Sequence, residues 1–437
     1  MEKSFVFIET YGCSANQNNS EILAGLLKSG GYEITNNEKI ADILIINTCI
    51  VKGKTETKIK RRIQNLGKEY PEKIMVITGC MPETDKNSLK KINPKILLLG
   101  ISHTKDIVKL LSDYRNNQIT KERQEQYLSK QKEEKILFPK ISTNKLISIV
   151  QISEGCLGNC TYCKTRLAKG SLFSYPQDKI IKQIENDLSS GAKEIWLTSQ
   201  DCASYGLDRG KNELPELLNK ILLLKHNFKL RLGMSNPNNV YSILDELIDL
   251  YHSDKMYKFL HIPIQSASNS VLKDMNRKYK IEQVEEIIKK FRIEFQDITI
   301  ATDLITGYPT ETEKDHKQNI NFIKQFCPDV FNLSKFSSHK QTVAGRLASL
   351  NKEVINKRAT ELMELHRATS MQNKQKFRDK IITVLINSKT KIPNIYEARD
   401  DNYNIVLIKS SDKSILGKKL NVKIKQIGVH HMIGELS

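Results

Sequence analysis

The sequence predicts an α/β protein in three successive parts: an N-terminal parallel α/β domain, a partial (β/α)6 barrel and a small C-terminal β-barrel. Three observations predict it. Over residues 1–125 short apolar runs alternate with helical patterns, as in a parallel sheet whose crossovers are helices. Between 143 and 373 the alternation recurs six times, and six consecutive right-handed βα units curl into part of a barrel. From 374 to 437 short strands separated by polar turns take over, which suits a small barrel.

Within the first part, Phe5–Thr10 reads as a strand, Ser20–Ser29 as a helix, Asp42–Thr48 as a strand, Thr55–Glu69 as a basic helix and Ile74–Gly79 as a strand. Ile96–Leu99 and Lys105–Tyr114 add one more of each. From Arg115 to Lys135, Gln, Lys, Glu and Arg crowd out apolar residues, so this stretch reads as a linker or a solvated helix, with 126–142 joining the domains. The barrel strands are expected at Leu146–Ile152, Glu194–Thr198, Leu230–Met234, Phe259–Ile264, Thr299–Ile305 and Phe331–Phe336. Helices such as Gln177–Leu188 and Glu282–Phe295 follow the first five, and Lys352–Phe377 is a long closing helix. The last part offers strands at Ile381–Ile386, Ile395–Ala398, Ile405–Ile408, Leu420–Ile427 and His431–Leu436.

A chain of 437 residues with 39% hydrophobic and 27% charged residues is neither disordered nor collagen-like. Its longest apolar runs, such as Ile43–Ile46 and Ile221–Leu224, fall far short of the roughly 18 residues of a membrane span, so a cytoplasmic protein without a membrane partner is expected. The formal charge of +19 predicts attraction to a polyanion, nucleic acid rather than membrane, although a lysine-rich proteome produces the same balance. Charge is densest over Lys374–Ser437, with 13 basic against 6 acidic residues, which marks that module as a nucleic-acid grip.

Eight cysteines in a large chain without a secretion signal read as metal or cluster ligands rather than disulfides. Cys156, Cys160 and Cys163 form C-x3-C-x2-C directly after the first barrel strand. Three thiolates on one loop can hold three irons of a 4Fe-4S cluster and leave the fourth open to chemistry, whereas structural zinc wants a fourth Cys or His. Cys13, Cys49 and Cys80 are far apart in sequence, yet each falls just past the carboxyl end of a predicted strand. In a parallel sheet those ends share one edge, so the three can converge on one ligand; three buried structural thiols are the alternative. Cys202 reads as a buried spectator thiol or as one that approaches the active site, and Cys327 as structural.

Ser199, Gln200 and Asp201 at the end of the second barrel strand, Ser235 and Asn236 at the third, Gln265 at the fourth and Asp303 within the fifth read as ligand contacts or as helix caps. Lys164 and Arg166 after the cysteine loop offer charge to an anionic substrate group or to solvent. Lys58, Lys60, Arg61 and Arg62 are a nucleic-acid contact or a solvated helix face.

The cysteine loop Gly155-Cys156-Leu157-Gly158-Asn159-Cys160-Thr161-Tyr162-Cys163 resembles the signature of the radical S-adenosylmethionine enzymes. That resemblance implies a cluster whose open iron binds S-adenosylmethionine, with the polar strand ends contacting its methionine and ribose parts. Two cysteine triads followed by a basic β-module resemble the methylthiotransferase family over essentially the whole chain, with an N-terminal methylthiotransferase domain (1–125), a radical barrel (143–373) and a TRAM domain (374–437). Tyr11-Gly12-Cys13-Ser14, His261-Ile262-Pro263-Ile264-Gln265-Ser266 and Ala301-Thr302-Asp303-Leu304 look like the archaeal and eukaryotic branch, which acts on N6-threonylcarbamoyladenosine beside the tRNA anticodon. One departure is Gly307-Tyr308-Pro309-Thr310-Glu311-Thr312, which lacks the family's second glycine. The resemblance implies two 4Fe-4S clusters, S-adenosylmethionine, a tRNA substrate, an electron donor protein and a sulfur source. One S-adenosylmethionine methylates sulfur on the auxiliary cluster, and a second supplies the radical that takes hydrogen from adenine C2. Methylthiolation of another tRNA adenosine or of a ribosomal-protein residue, and an RNA-binding iron-sulfur protein without turnover, remain the alternatives.

Overall fold

The computed structural model describes residues 4–51 and 53–437. They form two compact units: one of the residues up to Thr143 with Ile149–Leu157 and Cys163–Gln183, the other of Asn144–Ser148, Gly158–Tyr162 and Ile184–Ser437.

The first unit is built on a parallel sheet of β1 (Phe5–Thr10), β2 (Glu33–Thr35), β3 (Ile43–Thr48), β4 (Ile74–Gly79) and β5 (Leu97–Leu98), in the order β2-β1-β3-β4-β5. All six residues of β3 are buried because both faces of the sheet are covered. Leu44 and Ile46 share one core with Ile59, Ile63 and Leu66 of helix α2 (Gly53–Glu69) and Leu89 of α3 (Cys80–Ile92). Ile43 and Ile45 share the other with Leu23 and Leu27 of α1 (Ser14–Ser29) and Leu110 and Leu111 of the helix Ile107–Arg115.

Two expectations change here. Helix α1 starts at Ser14, six residues before the expected Ser20, because Asn16, Asn18 and Asn19 are buried helix residues rather than a polar loop. The stretch expected to be solvated is also tied down. Gln124, in a short helix Lys121–Gln126, bonds both N and O of Leu98 (3.1 and 2.6 Å) and so substitutes for a further strand at the sheet edge. Glu133 accepts from the backbone of Thr104 and Lys105, and Lys135 is only 1% exposed. Polar residues are buried here because each finds a partner.

In the second unit Glu194–Thr198 pairs in parallel with Lys229–Arg231, and Phe259–His261, Thr299–Thr306 and Val330–Lys335 form a parallel sheet. Leu146 O accepts from Lys193 N and Glu194 N, which sets the start of the first barrel strand beside the second. The strand expected at Phe259–Ile264 stops at His261, just before Pro263, which has no N–H for a ladder. The C-terminal strands Ile381–Lys389, Ile395–Arg399, Ile405–Lys409, Lys419–Ile427 and Met432–Leu436 close a barrel around Val384, Ile386, Val406, Ile408, Val422 and Ile424. Closure leaves no edge strand exposed. This barrel docks on the parallel sheets: Tyr403 packs with Trp196, Tyr257, Phe259 and Ala301, and Asn387 Nδ2 donates to Glu194 Oε1 at 2.7 Å. Among the described residues no helix is long and apolar enough to cross a membrane.

Candidate active site

The first unit brings Cys13, Cys49 and Cys80 to one sheet edge. Cys13 lies between β1 and α1, Cys49 directly follows β3, and Cys80 follows β4 and opens α3. β1, β3 and β4 are neighbours in the sheet. Two side chains sew the three loops together. Asn16 Nδ2 donates to both Tyr11 O and Thr48 O at 2.8 Å. Thr48 Oγ1 donates to Thr78 O at 2.6 Å and accepts from Met81 N at 3.0 Å.

Glycines keep this edge open. Gly12 has φ +113°, and a Cβ there would stand 3.0 Å from Cys49 Sγ; at Gly79, φ +87°, a Cβ would lie 2.4 Å from Asn47 Oδ1. Among the described residues the buried oxygens Asn16 Oδ1 and Asn47 Oδ1 have no hydrogen-bond partner. Cys13 is exposed while Cys49 and Cys80 are buried. Burial pushes both buried thiols up, Cys80 to about 12 against the pull of the Lys169 ammonium. Among the described residues no three Cys, His, Asp or Glu side chains are gathered around a single ion position. Three thiols on a glycine-opened edge suit a soft, multi-iron group, because thiolate is the preferred donor for iron–sulfur clusters.

On the barrel loop, Cys156, Cys160 and Cys163 are all half-buried. Cys156 and Cys163 belong to the first unit and Cys160 to the second. Gly155 has φ +79°, and a Cβ there would meet Ser171 O at 2.1 Å, so the turn into Cys156 requires glycine. Cys156 N donates to Gly170 O at 3.2 Å. Cys160 Sγ accepts from Arg277 Nη1 at 3.2 Å.

Lys164 is buried rather than solvated, its Nζ 3.1 Å from Glu56 of α2. Buried Lys135 and Lys169 both grip Glu154, at 2.8 and 2.6 Å, two residues before Cys156. Of the basic run on α2, Lys60 pairs with Asp85 at 2.5 Å and Arg62 with Glu9 and Glu38, which leaves Lys58 and Arg61 on the exposed face.

In the second unit Ser199, Gln200 and Asp201 directly follow Glu194–Thr198, Ser235 and Gln265 lie four residues past Lys229–Arg231 and Phe259–His261, and Asp303 sits inside Thr299–Thr306. Ser199 Oγ accepts from Asp201 N at 2.9 Å, and Gln200 lies between them. Asp201 is buried and committed to the protein: its carboxylate accepts from Asn236 N at 2.9 Å and Asn239 Nδ2 at 2.7 Å. Ser235 N donates to His261 O. Gln265 takes a left-handed backbone, φ +61°, between the backbones of Asp303 and Ile305. Asp303 Oδ2 is 2.8 Å from His261 Nε2. Cys202 is fully buried beside Ser199, and burial pushes its thiol up to about 11. Cys327 caps a helix, its thiol donating to Lys324 O. At the departure from the family turn, Gly307 has φ +77° and its N–H bonds Glu311 Oε1 at 3.2 Å, so the turn closes with Thr310 in place of glycine.

Sequence reasoning missed Asn16, Thr48, Lys169 and Arg277. The polar Asn47-Thr48 at the end of an apolar run was a signal for the first pair; nothing local marks Arg277.

Residues 5–100 match the model of the uncharacterized protein family UPF0004, and residues 150–323 that of the radical SAM superfamily. The probable threonylcarbamoyladenosine tRNA methylthiotransferase of Pyrococcus horikoshii is 36% identical over 99% of both chains. That of Archaeoglobus fulgidus is 38% identical over 99% of this chain and 98% of its own. The threonylcarbamoyladenosine tRNA methylthiotransferase of Homo sapiens is 32% identical over 98% of this chain and 73% of its own. The radical S-adenosylmethionine methyltransferase TsrM from Kitasatospora setae shares the fold at 13% identity, with a TM-score of 0.58 over 78% of this chain and 75% of that one. By its identity to full-length relatives, the chain belongs to the threonylcarbamoyladenosine tRNA methylthiotransferase family.

Proposed function

We propose that this chain inserts a methylthio group at C2 of N6-threonylcarbamoyladenosine beside the anticodon of tRNA. The observation that carries the reading is the division of six cysteines into one triad on the barrel loop and one on three adjacent strand ends, in a chain whose relatives are named for this activity. Cys156, Cys160 and Cys163 hold one 4Fe-4S cluster with an iron left for S-adenosylmethionine, and Cys13, Cys49 and Cys80 hold a second. Bound together, the first cluster and S-adenosylmethionine supply radical chemistry, which is needed because an adenine C2–H is neither acidic nor electrophilic.

The chain's own groups bind and orient. Ser199, Gln200, Ser235 and Gln265, past the barrel strands, and Asp303, within one, offer polar contacts, and Asp201 fixes Asn236 among them. The basic C-terminal barrel meets tRNA phosphates. An electron donor protein and a sulfur source complete the partners. Mass spectrometry of tRNA nucleosides from cells lacking the gene, and from cells given it back, tests this. The 2-methylthio derivative of N6-threonylcarbamoyladenosine is lost and restored if the reading holds. An unchanged nucleoside profile overturns it.

A further inference from the structure

Arg277 has no counterpart in the expected cysteine and strand-end set. It follows the helix Asn269–Asp274, in a segment that clasps the middle of the cysteine loop. Thr161 N donates to Met275 O at 3.1 Å and Thr161 Oγ1 to Asp274 O at 2.9 Å. Asn276, in the left-handed region at φ +55°, sends its Nδ2 to Asn159 O at 2.9 Å. Asn159, Cys160 and Thr161 are therefore each held from the same short turn.

The Arg277 guanidinium is fixed on every side. Nη1 donates to Cys160 Sγ at 3.2 Å, Nη2 to Asn236 Oδ1 at 2.6 Å and Nε to Tyr279 Oη at 3.2 Å. The cation also lies 5.0 Å from the centre of the Tyr279 ring. Tyr279 is itself anchored to Ile264 O at 2.7 Å, and Asn236 hangs from Asp201. Among the described residues no carboxylate forms an ion pair with Arg277. The buried Asp201 carboxylate acts on it only at a distance, through Asn236, and a guanidinium held out of water is stabilised further by an anion in direct contact. The sulfur at hand is that of Cys160, which is anionic once it ligates iron.

We propose that Arg277 is a positioning residue acting through Cys160: its guanidinium holds that thiolate in place by an N–H···S hydrogen bond and raises the reduction potential of the barrel cluster. The cause is electrostatic. Hydrogen bonds and positive charge at a ligating sulfur stabilise the more negative, reduced cluster. Arginine suits the task because its rigid fork bonds Cys160, Asn236 and Tyr279 at once, which a lysine ammonium on a flexible stem does not do. The inference rests on Cys156, Cys160 and Cys163 being cluster ligands.

The test is an EPR-monitored redox titration of the anaerobically reconstituted full chain, followed through the reduced-cluster signal that changes on adding S-adenosylmethionine. Iron is measured alongside. A wild type without such a signal defeats the cluster reading itself and is distinguished from failure of the present proposal. In Arg277→Gln, iron is retained and the midpoint falls by about 59 mV or more, a tenfold change in the reductant ratio of a one-electron couple. Arg277→Lys keeps the charge and lies between the two. An unchanged midpoint in Arg277→Gln at full iron content overturns the proposal. If Arg277→Gln loses its iron, the lysine variant decides: a retained cluster with a midpoint near wild type supports compensation of charge, and equal loss of iron reduces Arg277 to a structural clasp.

Discussion

Glu154 joins the interior of the first unit to the cysteine loop. It is 7% exposed, with Lys135 and Lys169 both in contact and Cys156 two residues on. Burial alone pushes its carboxyl up, but the two ammonium groups hold it down, to about 2. A carboxylate depressed in this way contributes stability that is present above its unfolded value near 4.5 and lost as pH falls towards 2. Glu154→Gln keeps the shape and removes the charge, leaving buried Lys169 without its carboxylate and Lys135 with only Glu133, 4.0 Å away. Breaking a buried ion pair from one side costs about 3–5 kcal/mol. The variant is expected to unfold at clearly lower urea concentration at pH 7, with the difference narrowing towards pH 2; a midpoint equal to wild type at pH 7 would show that the triad carries no net stabilisation.

At the scale of elements, the sheet brings three remote cysteines to one edge. β1, β3 and β4 run parallel and adjacent, so residues just past their ends are neighbours although 36 and 31 positions separate the cysteines in the chain. Two triads predict about eight irons per chain after anaerobic reconstitution, and Cys49→Ala should fall to about four while still cleaving S-adenosylmethionine reductively. About four irons in the wild type, unchanged in Cys49→Ala, removes the auxiliary cluster. This edge was legible because apolar strand patterns end where the cysteines begin. What holds it was not. Asn16 and its neighbours read as a polar loop before the expected helix start at Ser20, yet α1 begins at Ser14 and buries them. Asn16 is held in the helix by Tyr11 O of its own loop and by Thr48 O from the loop after β3, 32 positions away, and that second, long-range pairing leaves no local pattern. Lys135 was misread for the same reason: its partner Glu154 lies 19 positions away.

At the scale of the whole chain, the net charge of +19 becomes useful only once charges already paired within the fold are set aside. Lys60, Arg62 and Lys164 are spent on Asp85, Glu9, Glu38 and Glu56. The C-terminal barrel keeps Lys389, Lys391, Lys409 and Lys413 on exposed strand ends and turns. Deleting this module is a poor test of its role. Arg231 lies 5.7 Å from the Tyr403 ring and 5.2 Å from that of Phe259, and Lys258 N donates to Asp401 O at 2.8 Å. Truncation would therefore bare an aromatic face and leave Glu194 without Asn387. Replacing these four lysines by serine leaves that interface alone. Each lysine that meets a phosphate should, when removed, flatten the dependence of log affinity on log salt by about 1, and tRNA binding should weaken at low salt most of all. Reductive cleavage of S-adenosylmethionine without tRNA should stay at the wild-type rate, because none of the four touches a cysteine loop. Measuring tRNA affinity at several salt concentrations checks this: an unchanged affinity and slope would take the grip off these four positions, leaving it to Lys418, Lys419 and Lys425 of the barrel or to Lys58 and Arg61 on α2.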